Sequence, residues 1–251
     1  MKRIFTILMV AVTTVAMAQE EDTTTEDKIS VGLSLNMDQF FGLNPMMTFA
    51  YDVSESGSFT AYGIQWGAGT GSAWGQWTEF GVGYNYAVGD FDINPQLGFT
   101  FGSLLSSGAV NEGIIGDGIV PNLTVNYGTD KLEGQLYFGY YAPLSDNTSA
   151  TLPGQDPIAT NAYTHYWINL GYKFNSFISA GAHFEDLALV GGETFDGVSL
   201  ENIPGYTGFG PYIQFTKGNA GMRLSVGANI ADEDERFSNN DFYKLQFFVN
   251  L

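Results

Sequence analysis

The chain has 251 residues, no cysteine and a formal net charge of −18. So acidic a balance excludes a nucleic-acid binder, because phosphate contacts need Lys and Arg, and it argues against a pore built for anions. With no cysteine, the fold is held by something other than disulfide cross-links.

Met1-Lys2-Arg3 is a basic start, and residues 4–15 form an apolar run interrupted only by Thr6, Thr13 and Thr14. Ala16 and Ala18 then offer small side chains at the two positions a signal peptidase reads. The pattern predicts a signal peptide over residues 1–18, cleaved after Ala18. The run is shorter than the roughly 20 residues a spanning helix needs. No cysteine follows the cleavage site, so no acylated lipoprotein terminus is expected. Removal of Lys2 and Arg3 leaves the remaining chain at −20. Residues 19–27 are polar and acidic with nothing apolar to bury, and are expected to be a disordered lead-in.

From Lys28 onward the sequence alternates. Ile29, Val31, Leu33, Leu35 and Met37 share one face of the first segment; Ser30, Gly32, Ser34 and Asn36 share the other. Period-2 alternation puts one set on each face of a sheet. The predicted strands, in chain order, are residues 28–37, 46–53, 59–68, 74–88, 91–102, 119–127, 131–142, 163–174, 177–185, 206–217, 222–230 and 242–251. Gly89-Asp90 and Gly218-Asn219 are two-residue hairpin signals. The long links are residues 38–44, 69–73, 103–117, 143–161, 186–204 and 231–241, and each follows an odd-numbered strand. Short turns and long loops therefore lie at opposite ends of the sheet, with both termini at the short-turn end. The expected orientation is short turns toward the periplasm and long loops outside. After Ala18 no apolar run approaches the length of a membrane helix, as alternation requires. Pro95, Pro121 and Pro211 fall inside predicted strands, where they cannot donate to a ladder. Bulges or a local loss of one bond would absorb them; ten or fourteen strands are the alternatives.

In the last strand Tyr243, Leu245, Phe247, Val249 and Leu251 alternate with Lys244, Gln246, Phe248 and Asn250. This resembles the C-terminal strand signature of bacterial outer-membrane proteins, which the barrel-assembly machinery reads. Leu251 stands where Phe or Trp is usual, and Gln246 where Gly is common. Over residues 28–251 the pattern resembles the small monomeric outer-membrane barrels, including nucleoside-channel and oligosaccharide-channel porins of about twelve strands. The resemblance implies an all-β, antiparallel, up-and-down transmembrane barrel, monomeric, seated in outer-membrane lipid. No residue motif matches one of these families, and no substrate site is carried over.

The alternation also assigns the inner wall. Inward acids are Asp52, Glu79, Asp92, Glu133 and Glu185; inward bases are Lys173, Arg223 and Lys244. His165 and His183 join them, with the aromatics Trp77, Tyr137, Tyr141, Trp167, Tyr212 and Phe248. Inward glycines, among them Gly32, Gly63, Gly81 and Gly171, favour an open lumen or make room for neighbouring rings. One reading is a mixed-charge pore for passive passage of small polar or cationic solutes. A second is a closed structural or adhesive barrel whose lumen charges satisfy one another and whose long acidic loops act outside. A third is a lipid-directed enzyme, because Ser179, His183 and Glu185 share a face. That reading is disfavoured: these residues face inward, away from lipid, and no G-x-S-x-G stretch occurs. The acid run 232–235 lacks the spacing and central Gly of a calcium loop and reads as a solvated loop. No catalytic residue, cofactor or metal ligand is assigned.

Overall fold

The computed structural model describes residues 28–67, 77–102, 118–144, 160–193, 199, 202–231 and 241–251. The segment expected to be a signal peptide, with Ala16 and Ala18, the segment expected to be a lead-in and the acid run 232–235 lie outside the described residues. Twelve strands follow one another: β1 (Ile29–Asp38), β2 (Gly42–Ser54), β3 (Gly57–Trp66), β4 (Trp77–Val88), β5 (Phe91–Gly102), β6 (Gly118–Gly128), β7 (Leu132–Pro143), β8 (Thr160–Lys173), β9 (Ile178–Glu193), β10 (Ile203–Lys217), β11 (Ala220–Asn229) and β12 (Asp241–Asn250). Each pairs with the next, and β1 pairs antiparallel with β12, so the sheet closes into a barrel. Closure leaves no edge, so the strands satisfy their backbone groups on one another, as a membrane-spanning sheet must.

The prolines do not change the strand number. Each interrupts one ladder for two residue pairs, and the register resumes unchanged. Pairing of β4 with β5 skips from Gly83↔Gln96 to Tyr86↔Ile93 around Pro95. β6 with β7 skips from Ile119↔Ala142 to Asn122↔Gly139 around Pro121. β10 with β11 skips from Phe209↔Ala228 to Tyr212↔Ser225 around Pro211. On the other side of each proline the ladder is continuous. All three point outward, and the bulges lie elsewhere, after Asp52, after Ala162 and after Pro204.

The outer face is apolar. Phe80, Val82, Leu97, Ile168, Leu170 and Phe209 are among the large side chains exposed on it. Toward the short turns a ring of aromatic pairs encircles the wall: Phe59 with Tyr84, Phe91 with Tyr127, Tyr172 with Phe174, and Phe177 with Phe215, at centroid separations of 4.8 to 5.6 Å. Apolar bands flanked by aromatic girdles are the outer surface of transmembrane barrels. The two-residue turns start with Gly89 at φ 61° and Gly218 at φ 58°, a conformation the tight hairpin needs and Gly adopts without strain. At the β8–β9 turn Asn175 Oδ1 accepts from the N–H groups of Phe177 and Ile178, both at 2.8 Å.

Three readings of the sequence are corrected. The link over residues 38–44 is no long loop: β1 runs through Asp38, β2 starts at Gly42, and only three residues, Gln39, Phe40 and Phe41, join them. Gly42 at φ 72° permits the tight reversal. Second, Gly63 faces outward, where a Cβ would lie 3.0 Å from the ring of Phe80; Tyr62, Ile64 and Trp66 are the inward residues of β3. Third, β9 does not stop at Glu185 but pairs with β8 as far as Glu193.

Candidate functional site

From the short turns upward the inner wall forms layers. At the short-turn end Asp52 accepts from Ser58 Oγ at 2.5 Å and Asp92 accepts from Asn85 Nδ2 at 3.3 Å. Together with Lys28, Ser30, Glu55 and Asn126 they line a polar cavity of about 650 Å³. Lys173 Nζ donates to the Thr129 carbonyl at 2.8 Å and so ties β8 to the β6–β7 turn.

Near the start of β7 Glu133 Oε1 accepts from Tyr212 Oη at 2.7 Å and Ser179 Oγ at 2.8 Å. Arg223 stands 4.0 Å from the same oxygen, donates Nε to Gln214 at 2.9 Å, and lies 4.7 Å over the Tyr212 ring. The Ser179 hydroxyl is thus engaged by Glu133. Trp167 stacks on Tyr137 at 4.0 Å and donates Nε1 to Gln135 at 3.0 Å.

The next layer holds two buried carboxylates in different company. Glu185, fully buried, has three nitrogens around it: His165 Nε2 at 2.8 Å, His183 Nε2 at 3.0 Å and Lys244 Nζ at 2.5 Å. His183 Nδ1 faces Asn169 Oδ1 at 2.7 Å, and its ring stacks on Phe242 at 5.1 Å. Lys244 also lies 5.2 Å over the Trp167 ring. Glu79 is equally buried but is held by neutral donors alone. Tyr62 Oη donates to Oε1 at 2.5 Å; Trp66 Nε1 and Tyr141 Oη donate to Oε2 at 3.1 and 3.3 Å. Among the described residues no Lys, Arg or His forms an ion pair with it. Among the described residues four buried polar side-chain atoms have no hydrogen-bond partner: Asp38 Oδ2, Trp77 Nε1, Thr100 Oγ1 and Asn122 Oδ1. Thr100 is the register partner of Glu79, and Asn122 Nδ2 donates to Tyr62 at 2.9 Å.

The top of the lumen is closed by the β1–β2 turn, which folds inward. Phe40 and Phe41 are 5% and 4% exposed, deeper than most of the strand residues around them. Phe40 stacks on Tyr206 at 5.2 Å; Phe41 packs 4.9 Å from Trp66, 5.3 Å from His165 and 6.0 Å from Trp77. Asp38 Oδ1 accepts two of the turn's backbone N–H groups, from Phe40 at 2.9 Å and Phe41 at 2.5 Å. Gln39 turns outward and bridges to β12: it donates to the Asp241 carbonyl and accepts from the Tyr243 N–H at 2.6 Å. The space left among Phe41, Trp66, Trp77, Tyr141, Tyr163, His165 and Leu187 is about 10 Å³, barely the volume of one water. Sequence reasoning placed no part of this plug in the lumen. Its signal was the pair Phe40-Phe41, two large rings in a link that would otherwise expose them to water.

On β12, Tyr243 and Phe247 point outward and are 39% and 47% exposed, and Leu245, Val249 and Leu251 share their side. Phe242 and Lys244 point inward.

Closed topology, an apolar outer band and a layered polar interior define a twelve-stranded transmembrane β-barrel. The chain belongs to a family of unknown function (DUF6733), whose model matches residues 1–251. No curated protein matches it. Among solved structures it is similar to an outer-membrane channel from Pseudomonas putida F1, at 11% identity and a TM-score of 0.59, covering 92% of this chain and 100% of the other. A protein solved in a study of in-meso crystallization of membrane proteins is similar at 12% identity and a TM-score of 0.52, over 88% of this chain and 84% of that one. At these identities the likeness is one of fold.

Proposed function

We propose that the protein is an outer-membrane channel for small polar or cationic solutes, with the β1–β2 turn as the part that shuts it. In this reading the short turns face the periplasm, the chain acts as a monomer, and the barrel-assembly machinery recognises the alternation that ends at Leu251. One observation carries the reading: a three-residue turn, not a strand, inserts Phe40 and Phe41 into the lumen, over a wall that carries polar side chains from the 650 Å³ cavity up to Glu79 and Glu185. Asp52, Asp92 and Glu55 at that cavity raise the local cation concentration, and the low-dielectric wall strengthens their field.

The second reading is a closed structural barrel acting through its outer loops. The 10 Å³ left at the plug favours it. Catalysis is not proposed, because the Ser179 hydroxyl serves Glu133, and His183 serves Asn169 and Glu185.

Planar-bilayer conductance decides between channel and closed barrel. The native protein should give small or rare openings, and Phe40→Ala with Phe41→Ala a steady current. In a salt gradient the reversal potential of that variant should favour K⁺ over Cl⁻, less so at high salt, where screening shortens. Replacing Glu79 and Glu133 by Gln should reduce the preference. A folded double-alanine variant that stays silent would leave the closed structural barrel as the account.

A further inference from the structure

Four rings of the lumen wall surround the place where Phe41 is seated. Trp66 on β3 and Trp77 on β4 are directly opposite one another and stack at 5.5 Å. Tyr141 on β7 and Tyr163 on β8 are register partners in the same way. All four are buried, and β5 and β6, which run between the two pairs, bring the smaller Thr100 and Val120 to the wall. Both pairs and Phe41 line the same residual space of about 10 Å³. Phe41 lies 4.9 Å from Trp66 and 6.0 Å from Trp77. The ring of His165 adds to the wall 5.3 Å from Phe41, with its Nε2 turned away to Glu185.

A carboxylate backs these rings. Glu79 is the next inward residue after Trp77 on β4 and is 1% exposed. Its Oε2 accepts from Trp66 Nε1 at 3.1 Å and from Tyr141 Oη at 3.3 Å. One ring from each pair therefore sets its polar edge on the same oxygen. Neutral donors orient a carboxylate but leave its charge, and an ionised carboxylate out of water is costly unless a positive charge meets it. The donors also pass that charge on. An N–H or O–H bonded to a carboxylate leaves more electron density on its ring, and a ring face attracts a cation electrostatically.

We propose that Trp66, Trp77, Tyr141 and Tyr163, with Glu79 behind them, form an aromatic box for the trimethylammonium group of an organic cation, and that Phe41 occupies this box while the β1–β2 turn is seated. A trimethylammonium group has the bulk of a tert-butyl group, no larger than the ring it replaces. It carries the charge that Glu79 lacks, and it takes ring faces as partners. A metal ion needs several oxygens in place of its water, and ring faces offer none. All four rings face inward, away from lipid, so the ligand is a free solute and not a lipid headgroup. Entry in the native barrel rests on the channel reading, in which the turn lifts; the box itself does not.

The test uses the full Phe41→Ala barrel, in which the box is vacated, folded in maltoside micelles that carry no ammonium group. It is titrated calorimetrically with choline chloride, with KCl, and with the uncharged alcohol in which carbon replaces the nitrogen of choline. Choline should bind saturably, and roughly tenfold or more tighter than its uncharged isostere or than choline binds the native barrel, the scale of one cation–π contact out of water. KCl should give no saturable heat. In the Phe41→Ala background Trp77→Leu should raise the half-saturating choline concentration roughly tenfold, and Glu79→Gln at least as much. Should Glu79→Gln fail to fold, Trp77→Leu and Tyr163→Leu decide, because each removes a ring face and leaves the carboxylate with its donors; unchanged affinity in both would overturn the box. So would a folded Phe41→Ala barrel that binds no choline, or one that binds the isostere as tightly, which would make the space an apolar cavity. Choline binding with a silent Phe40→Ala, Phe41→Ala barrel would remove the channel reading and keep the box. A cation-selective current through that barrel without choline binding would overturn the box and keep the channel.

Discussion

Asp38 and Lys244 are register partners where β1 closes on β12, yet neither is spent on the other. Lys244 Nζ reaches Glu185 at 2.5 Å, while Asp38 Oδ1 takes the N–H groups of Phe40 and Phe41. The closing seam of the barrel thus supplies both the cation for a buried acid and the acceptor that holds the plug.

Removing that acceptor should loosen the plug. Hydrogen bonds to a charged group contribute about 1.5–3 kcal/mol each, so Asp38→Ala should populate an unseated turn at least tenfold more. The native chain has no cysteine, which makes a single reporter clean. Leu187→Cys lines the small space under Phe41 and should react slowly with a water-soluble maleimide. Adding Asp38→Ala should accelerate labelling at least tenfold. An equal rate in the two backgrounds would mean that ring packing alone seats the turn.

Lys244→Met tests the other half of the seam. It leaves Glu185 buried without its lysine, and breaking a buried pair from one side costs about 3–5 kcal/mol. The urea midpoint of the refolded barrel should fall accordingly. Lys244→Met combined with Glu185→Gln removes both charges and should recover most of the loss. A double variant as weak as the single one would assign the effect to lost packing of the lysine stem against Trp167.

Phe247 tests the outer face. It pairs with Leu35 on β1 and Met222 on β11, and all three side chains point away from the lumen. Phe247→Asp sets a charge against hydrocarbon, where polar substitutions cost most near the midplane. The heat-modifiable folded band should disappear, while Phe248→Asn, on the inner face, should leave it in place. The opposite pattern would mean that the register of β12 is displaced by one residue.

The strand plan was legible because alternation is enforced by two solvents: lipid outside selects Ile29, Val31 and Leu33, and a wet interior selects Ser30, Gly32 and Ser34. The signal fades wherever that contrast does. In β9 the stretch after Glu185 reads Asp-Leu-Ala-Leu-Val, with no polar inner set, because at that height the interior is itself aromatic and apolar. Leu187 packs there beside Tyr163 and Phe41. In β3 the inner residues Tyr62, Ile64 and Trp66 are larger and less polar than the outer Gly63, so polarity pointed the wrong way. The pairing of Glu79 with Tyr141, 62 residues along the chain, has no local signature at all. It depends on which inward side chains closure brings to one height.

The plug also orders events in time. Phe40 and Phe41 belong to the first hairpin of the chain, but the rings that receive them come from β3, β4, β8 and β10 and from Phe242 on the last strand. Their seat does not exist until β12 has joined β1. The barrel's first hairpin to be made is therefore the last to dock, and its docking is a mark, written into the molecule, that the cylinder is complete.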